Sequence, residues 1–416
     1  MSPAVASLVA LLVAIALSFS ARVNVGIAAL ALAFGLGLGV PGLRADAVAA
    51  AFPSSLFVTL LGVTLLFAAT ESNGTLAHAA GQAVRLVRGN ARPAPWLLFA
   101  VAFVVSALGP GAVPSVALIA PLGAAVARRM GIPPFIGALF VANGANAGNL
   151  SPLSAVGIVA NSRMAEAGLV GEEAKVFAAN ALAHVLVSAA VYVFWRWRGA
   201  APATAAAPGP AAVAPLDLRQ GLSLAVVAAW AVGAVALQLP VGLSALAAAF
   251  LLLAFRAASE AETLRAVPWG ALLMVSGTAT LVALVEKTGG LDLFSGLLAR
   301  LSTPQTVNGT MAFVTGLIST WSSTSGVVLP AFLPTVPGVL ERLGGGDPLA
   351  LSLSINVGSS LVDVSPLSTL GALCVAAVED ADAARTLFRR LLAWGLSMTL
   401  VGALLCQLLA SPFARL

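Results

Sequence analysis

Apolar residues fall in two sets of six runs. The first set lies at about 3–20, 23–40, 53–70, 95–127, 133–160 and 175–195. The second lies at about 220–238, 240–255, 268–285, 310–340, 348–377 and 386–409. A membrane-crossing helix takes roughly 20 apolar residues, so the pattern predicts a bundle of spanning helices. Between the sets, residues 198–217 form a Pro/Ala-rich tract without periodicity, which reads as a linker. The two sets are spaced alike. Ala51–Leu76 matches Ala266–Leu291 at Pro53/Pro268, Gly62/Gly277, Glu71/Glu286 and Gly74/Gly289. Phe103–Pro121 runs parallel to Phe313–Pro330, and SPLSAVG at 151–157 returns as SPLSTLG at 365–371. Ordered matches at a nearly constant offset mean an internal duplication.

The fourth run of each set is interrupted. Two apolar arms of about 13 to 16 residues flank SALGPGAVPS in the first half and STWSSTSG in the second. Arms that short do not span comfortably. Each run is predicted to be a re-entrant hairpin, at about 95–129 and 308–342, with a single kinked span as the alternative. Each half then crosses five times, and an odd number inverts the second copy. The expected fold is therefore an all-α polytopic membrane protein. It comprises two inverted repeats, 1–197 and 218–416, each of five transmembrane helices plus one hairpin. Broken helices are expected at about 133–160 and 348–377.

Composition agrees with this pattern. The chain is 416 residues long, 60% hydrophobic and 9% charged, too few charges to cover a soluble domain of that size. Its pI near 10.2 does not point to nucleic acid, because the basic residues sit between apolar runs and act as topology signal. In a ten-span arrangement one face collects fourteen Lys and Arg and the other seven, which together are all 21. The richer face is expected to be cytoplasmic. The linker then lies inside a cell inner (plasma) membrane and both termini outside. The first run resembles a signal peptide but lacks a positive start, so it is expected to remain as a helix. Cys374 and Cys406 lie in apolar stretches and define neither a disulfide nor a metal site. His78 and His184 are too far apart to form a ligand pair.

Polar residues at membrane depth survive only inside protein or around a water-filled cavity. The first broken run carries Asn143, Asn146, Gly148, Asn149, Ser151 and Ser154; the second carries Asn356, Ser359, Ser360, Asp363, Ser365, Ser368 and Thr369. Singly, such residues serve as close-packing glue between helices. Duplicated and concentrated at two breaks and two hairpin tips, they predict one midplane site. Freed carbonyls and hydroxyls suit a cation such as Na⁺, and half-helix N-termini suit an anion. The expected substrate contacts are Ser106, Gly111, Asn146, Ser151, Ser322, Ser323, Thr324, Ser365, Ser368 and Thr369. The Na⁺ candidates are Asn143, Gly148, Asn149, Ser319, Ser360 and Asp363. Asp363 is the acid placed well inside an apolar run, and its symmetric position holds Asn149. An intramembrane carboxylate is a functional candidate by default.

FPSSLFVTLLGVTLLFAATESNGT, STSGVVLP and GSSLVDVSPLSTLGAL resemble the dicarboxylate carriers of the MatC (malonate carrier) type. These sit within the ion transporter superfamily that includes the divalent anion:sodium symporters. The resemblance implies a homodimer with a scaffold domain, a transport domain carrying both hairpins, and elevator-type alternating access. In the sodium/dicarboxylate relatives a Ser-Asn-Thr motif at each tip holds a substrate carboxylate and helps hold Na⁺. Here Ser322-Ser323-Thr324 stands at the second tip, with Ser in place of Asn, and Gly109-Pro110-Gly111-Ala112 stands at the first. The expected function is cation-coupled (Na⁺ or H⁺) secondary transport of a small dicarboxylate, malonate or a C4 acid, with no resident cofactor. The alternative is the membrane subunit of a multi-component carboxylate carrier that needs a separate binding protein. An intramembrane enzyme is disfavoured, because Asp363 has no second acid or placed histidine beside it.

Overall fold

The computed structural model describes residues 2–18, 23–40, 43, 45–85, 92–197, 215–237, 239–378 and 380–415. Most of the linker, residues 198–214, lies outside the described residues. Helices account for nearly all of the rest, and no strand occurs among the described residues.

The first half contributes α1 (Pro3–Ser18), α2 (Val25–Gly39), α3 (Ala45–Ala50), α4 (Ser54–Ser72) and α5 (Thr75–Arg85). After these come α6 (Ala94–Leu108), α7 (Ala112–Arg129), α8 (Pro134–Gly148), α9 (Ala155–Glu166) and α10 (Glu173–Trp197). The second half repeats the order with α11 (Leu218–Ala236), α12 (Val241–Ala254), α13 (Glu260–Ala266), α14 (Trp269–Lys287) and α15 (Gly290–Ala299). It continues through α16 (Val307–Ser319), α17 (Leu329–Phe332), α18 (Val336–Leu343), α19 (Pro348–Val362), α20 (Thr369–Ala376) and α21 (Ala381–Ala414). The counterpart of α7 is the helical segment Thr324–Leu343, which a π turn and a 3₁₀ turn divide around Pro330 and Pro334. Six of these helices are long and apolar enough to cross a membrane, and eight shorter ones are apolar. The protein is a multi-pass membrane protein.

The halves interlock. α4 packs against α12 of the other half, and α14 packs against α2. Both crossings are made by glycines. A Cβ on Gly62 would fall inside the Gly242 backbone, and one on Gly277 inside the Gly26 backbone. Small residues let helix backbones approach this closely in a membrane. In a second group, α6 packs on α8 and α8 on α10, matched by α16 on α19 and α19 on α21.

Both breaks fold alike. α8 stops at Gly148 and α9 starts after Ser154; α19 stops at Val362 and α20 starts after Ser368. The bonds Asn149 N–H to Asn146 O, Ser151 N–H to Gly148 O and Ser154 N–H to Ser151 O turn the first chain. The bonds Asp363 to Ser360, Ser365 to Val362 and Ser368 to Ser365 turn the second in the same way. Pro152 and Pro366 in these turns disfavour the helical conformation of the residue before them. The hairpin arms differ from the expectation of about 13 to 16 residues. α6 and α16 have 15 and 13 residues, but the second arms have 18 and 20. The prolines there fail to end the helix: Pro121 stays inside α7, and the π and 3₁₀ turns absorb those of the second arm.

Candidate functional site

Both hairpin tips and both breaks open onto one cavity of about 580 Å³. Pro110–Pro114 and Trp321–Ser325 supply the tips, Asn149 with Ala155 and Val156 the first break, and Asp363 with Leu367–Leu370 the second. The opposite wall comes from Val23–Val25 at the start of α2, Leu60 and Thr64 on α4, and Met274 and Val275 on α14. Asn24 fixes that wall: its Oδ1 accepts from Gly26 N–H at 2.9 Å and its Nδ2 donates to Gly270 O at 2.7 Å. Asp363 is the one ionisable side chain among the described residues of the lining.

The second tip is built from hydroxyls. Ser323 Oγ caps Gly326 N–H at 3.1 Å, and the Ser319 and Thr324 hydroxyls pair at 2.6 Å. Thr324 Oγ1 also lies 3.5 Å from Ser359 O. The Asp363 carboxylate reaches the side chains of both Thr324 and Ser368, and the Ser368 hydroxyl donates to the Asp363 carbonyl. Several oxygens therefore lie together beneath the tip, and oxygen ligands are the kind that hard cations take. Ser322 Oγ is buried and unpartnered. The outer side of the tip is pinned to α14, where Thr278 Oγ1 donates to Gly326 O at 2.6 Å.

The first tip is built from backbone. Gly109 and Gly111 have φ of 157° and 81°, and Gly109 lies against the Phe67 ring, so neither accepts a side chain easily. Asn149 Oδ1 accepts from Ala112 N–H at 2.9 Å, and Ala155 N–H donates to Gly109 O at 3.1 Å. Ser106, the counterpart of Ser319, is buried with an unpartnered hydroxyl. The first tip carries Gly111 and Ala112 where the second carries the N-cap Ser323 and then Thr324, so the hydroxyl that pairs with Ser319 has no counterpart there.

Eight of the predicted site residues line the cavity: Gly111, Asn149, Ser322, Ser323, Thr324, Asp363, Ser368 and Thr369. Ser106 and Ser319 lie one layer behind the tips, and Gly148 packs against Ser106. Ser151 and Ser365 stay within their own turns, where their hydroxyls accept from Leu153 and Leu367 N–H, each at 3.3 Å. Asn146 and Ser360 form a brace instead. Asn146 Nδ2 donates to Ser360 O at 3.1 Å, Asn180 Nδ2 to Asn146 O at 2.7 Å, and Ser360 Oγ to Asn180 Oδ1 at 2.6 Å. Asn143 joins the same seam through Ser188 Oγ at 3.1 Å, and His184 Nδ1 meets Asn180 O at 2.9 Å. Asn180 was not singled out from the sequence, where one amide in a long apolar run carries no local signal. Asn24 and Met274 were missed because the wall they form belongs to helices without a polar break.

No curated protein sequence matches the chain significantly. Among solved structures it is similar to the YdaH transporter of Alcanivorax borkumensis, whose crystal structure is described as having an unusual topology. The TM-score is 0.57 at 16% identity, over 87% of this chain and 86% of that one. At that identity the likeness concerns the fold. Residues 1–149 match the family model described as the N-terminus of the dicarboxylate carrier protein MatC.

Proposed function

We propose that the protein is a secondary active transporter of a small dicarboxylate, driven by a co-transported cation. The observation that carries this reading is the lining of the cavity: two hairpin tips and two helix breaks around one carboxylate, with no Lys, Arg or His among the described residues that line it. A dianion in such a site needs cations that travel with it. The oxygens around Thr324, Ser319 and Asp363 supply one place for them. Na⁺ or H⁺ is then cargo rather than a resident cofactor. The match of residues 1–149 to the MatC carrier family supports the substrate class.

In this reading the two halves are inverted repeats. The interlocked group α2, α4, α12 and α14 is the scaffold, and the hairpins with α8–α10 and α19–α21 form the transport domain of an elevator. The cavity lies at the boundary between the two groups, where a moving domain would carry it. A homodimer joined through the scaffold completes the arrangement. The test is uptake of malonate and C4 dicarboxylates by the purified chain alone in liposomes, each under imposed Na⁺ and pH gradients. Saturable, counterflow-competent uptake is expected. A requirement for a separate binding protein would make this chain the subunit of a multi-component carrier instead.

Two narrower results are expected. Ser322→Ala removes an unpartnered hydroxyl from the cavity. Losing a hydrogen bond to a charged group costs roughly 1.5–3 kcal/mol, so apparent affinity falls by roughly tenfold to a hundredfold. Unchanged affinity would take the second tip out of the binding site. The excess of basic residues on one face supports a cytoplasmic linker. Both native cysteines are buried, so a cysteine introduced at Pro208 should react only with reagents that reach the cell interior. Labelling by an impermeant reagent in intact cells reverses the orientation.

A further inference from the structure

The cavity reaches the surface where α2 and α14 begin. Val23, Asn24, Pro268 and Gly270 line it there, and Val23 is exposed. Along α14 the lining ends at Val275. Beyond that point the same face of the helix meets protein. Thr278 bonds to Gly326 O at the second tip, and Val282, one turn further, lies in an apolar cluster with Met164 of α9 and Phe332 of the second hairpin. Glu286 stands near the far end of α14, roughly 16 Å beyond Val275 at 1.5 Å per residue.

That far end carries two arginines from one side of the boundary and two acids from the other. Arg163, near the end of α9, is 5% exposed and is the one Lys, Arg, Asp or Glu that is buried among the described residues. Its Nη1 lies 2.6 Å from Glu166 Oε2, and Glu286 of α14 stands within electrostatic reach of both. Arg342, in the last turn of α18, places Nη2 3.7 Å from Asp292 Oδ1 in the first turn of α15. α15 packs on α1 beside α14, so it stays with the scaffold. Glu286 and Asp292 thus bracket the corner between α14 and α15. The opposite end lacks this arrangement. In the register of the repeats Glu71 answers to Glu286, but Ala377 stands in place of Arg163 and Ala77 in place of Asp292. Among the described residues Glu71 makes no ion pair.

We infer that Arg163 and Arg342 clasp the α14–α15 corner and hold that end of the cavity shut, so that the unclasped end is the resting opening. This rests on the transport reading above, in which the hairpins and α9 slide along α14, and it adds the device that sets the resting state. When the second tip moves towards Glu286, Val282 comes to line the cavity and both arginines leave the scaffold acids. The clasp therefore acts on one state alone, which is the condition for biasing an equilibrium. Exposed pairs such as Arg342 with Asp292 contribute little singly. Arg163 carries more of the bias, because its charge is held at the boundary away from water. With Ala77 and Ala377 at the other end, no equal clasp holds the opposite state.

The experiment measures how fast single introduced cysteines react with a charged methanethiosulfonate in the purified full chain in lipid nanodiscs. Val282→Cys reports the clasped end, where Val282 is buried, and Ala271→Cys reports the open end, where Ala271 is exposed in the cavity. The wild type is the blank, since both native cysteines are buried. Glu286→Gln combined with Asp292→Asn neutralises both scaffold acids at exposed positions. Labelling of Val282→Cys is then expected to rise by roughly threefold to tenfold, with Ala271→Cys still reactive. Arg342→Asp combined with Asp292→Arg re-forms that pair with its charges exchanged and should label Val282→Cys at close to the wild-type rate. Unchanged labelling of Val282→Cys after neutralisation overturns the clasp. So does a charge-exchanged protein that labels as fast as the neutralised one, because general loosening then accounts for both. Labelling reads shape rather than flux, so the transport reading fails separately, by absent uptake in liposomes. Faster labelling without uptake of any acid retires transport and leaves the clasp standing.

Discussion

Asp363→Asn abolishes cation-driven accumulation of the substrate while the protein stays folded. Asp363 is the one ionisable side chain among the described residues lining the cavity, and the Thr324 and Ser368 side chains lie within its reach. Two unit charges about 4 Å apart attract by about 4 kcal/mol at an effective dielectric near 20. Removing the carboxylate charge should therefore weaken cation activation by roughly a hundredfold or more. The membrane potential enlarges the consequence. Bringing a dianion into a negative interior costs about 2.3 kcal/mol per charge per 100 mV, so accumulation needs at least two cations, and a third lets the potential drive it. Loss of one cation site removes that drive. The readout also names the cation. If it is Na⁺, the variant loses Na⁺ activation; if it is H⁺, the variant loses the pH dependence and Na⁺ is irrelevant to both proteins. Folding is protected because Asn149 holds the symmetric position, where its Oδ1 accepts from the tip as an amide. Normal accumulation by Asp363→Asn under both gradients would make Asp363 a structural acceptor and move coupling to the neutral oxygens.

What the sequence revealed and what it hid have a common physical origin. The breaks at Asn149–Ser154 and Asp363–Ser368 were legible because proline, serine and asparagine inside an apolar run leave backbone groups that lipid cannot satisfy. Those residues turn the chain with the same three bonds in each half. The tip residues Ser322 to Thr324 and the acid Asp363 reached the cavity for the same reason. Asn146 and Ser360 carry the same polar signal, yet they face each other and Asn180 across a helix seam. Which side of a broken helix meets the cavity depends on its neighbours, and a single run does not encode them. The wall from α2, α4 and α14 was hidden for the opposite reason: Met274 and Leu60 look like any other apolar residue until the helices are brought together. The matched glycines were visible as a repeat, but their purpose was not. Gly62 and Gly277 are the points where the two halves interlock.

That interlock carries the second large effect: Gly277→Leu should leave little stable protein. On α14 a Cβ at this position would fall inside the backbone of α2 at Gly26, and a Cβ on Gly26 would fall inside the backbone at Leu273 and Met274. The obstacle is backbone on both sides, so no side chain can rotate out of the way. α2 and α14 would have to separate along their length, which disturbs Asn24 and its bond to Gly270 O at the cavity wall. Overpacking a core costs about 1–3 kcal/mol even where side chains can yield, and total stabilities run to only about 5–15 kcal/mol. The expected readout in detergent is a melting temperature lower by roughly 10 °C, or loss of the monodisperse species. Gly35 supplies a control on the partner helix α2, because nothing lies within 4 Å of a Cβ placed there. Gly35→Ala should be neutral or stabilise the helix by up to about 1 kcal/mol. If Gly277→Leu melts with the wild type, α2 and α14 do not cross at these glycines, and the cavity wall they form has to be redrawn. If both variants fail alike, α2 is intolerant of change for reasons other than this crossing.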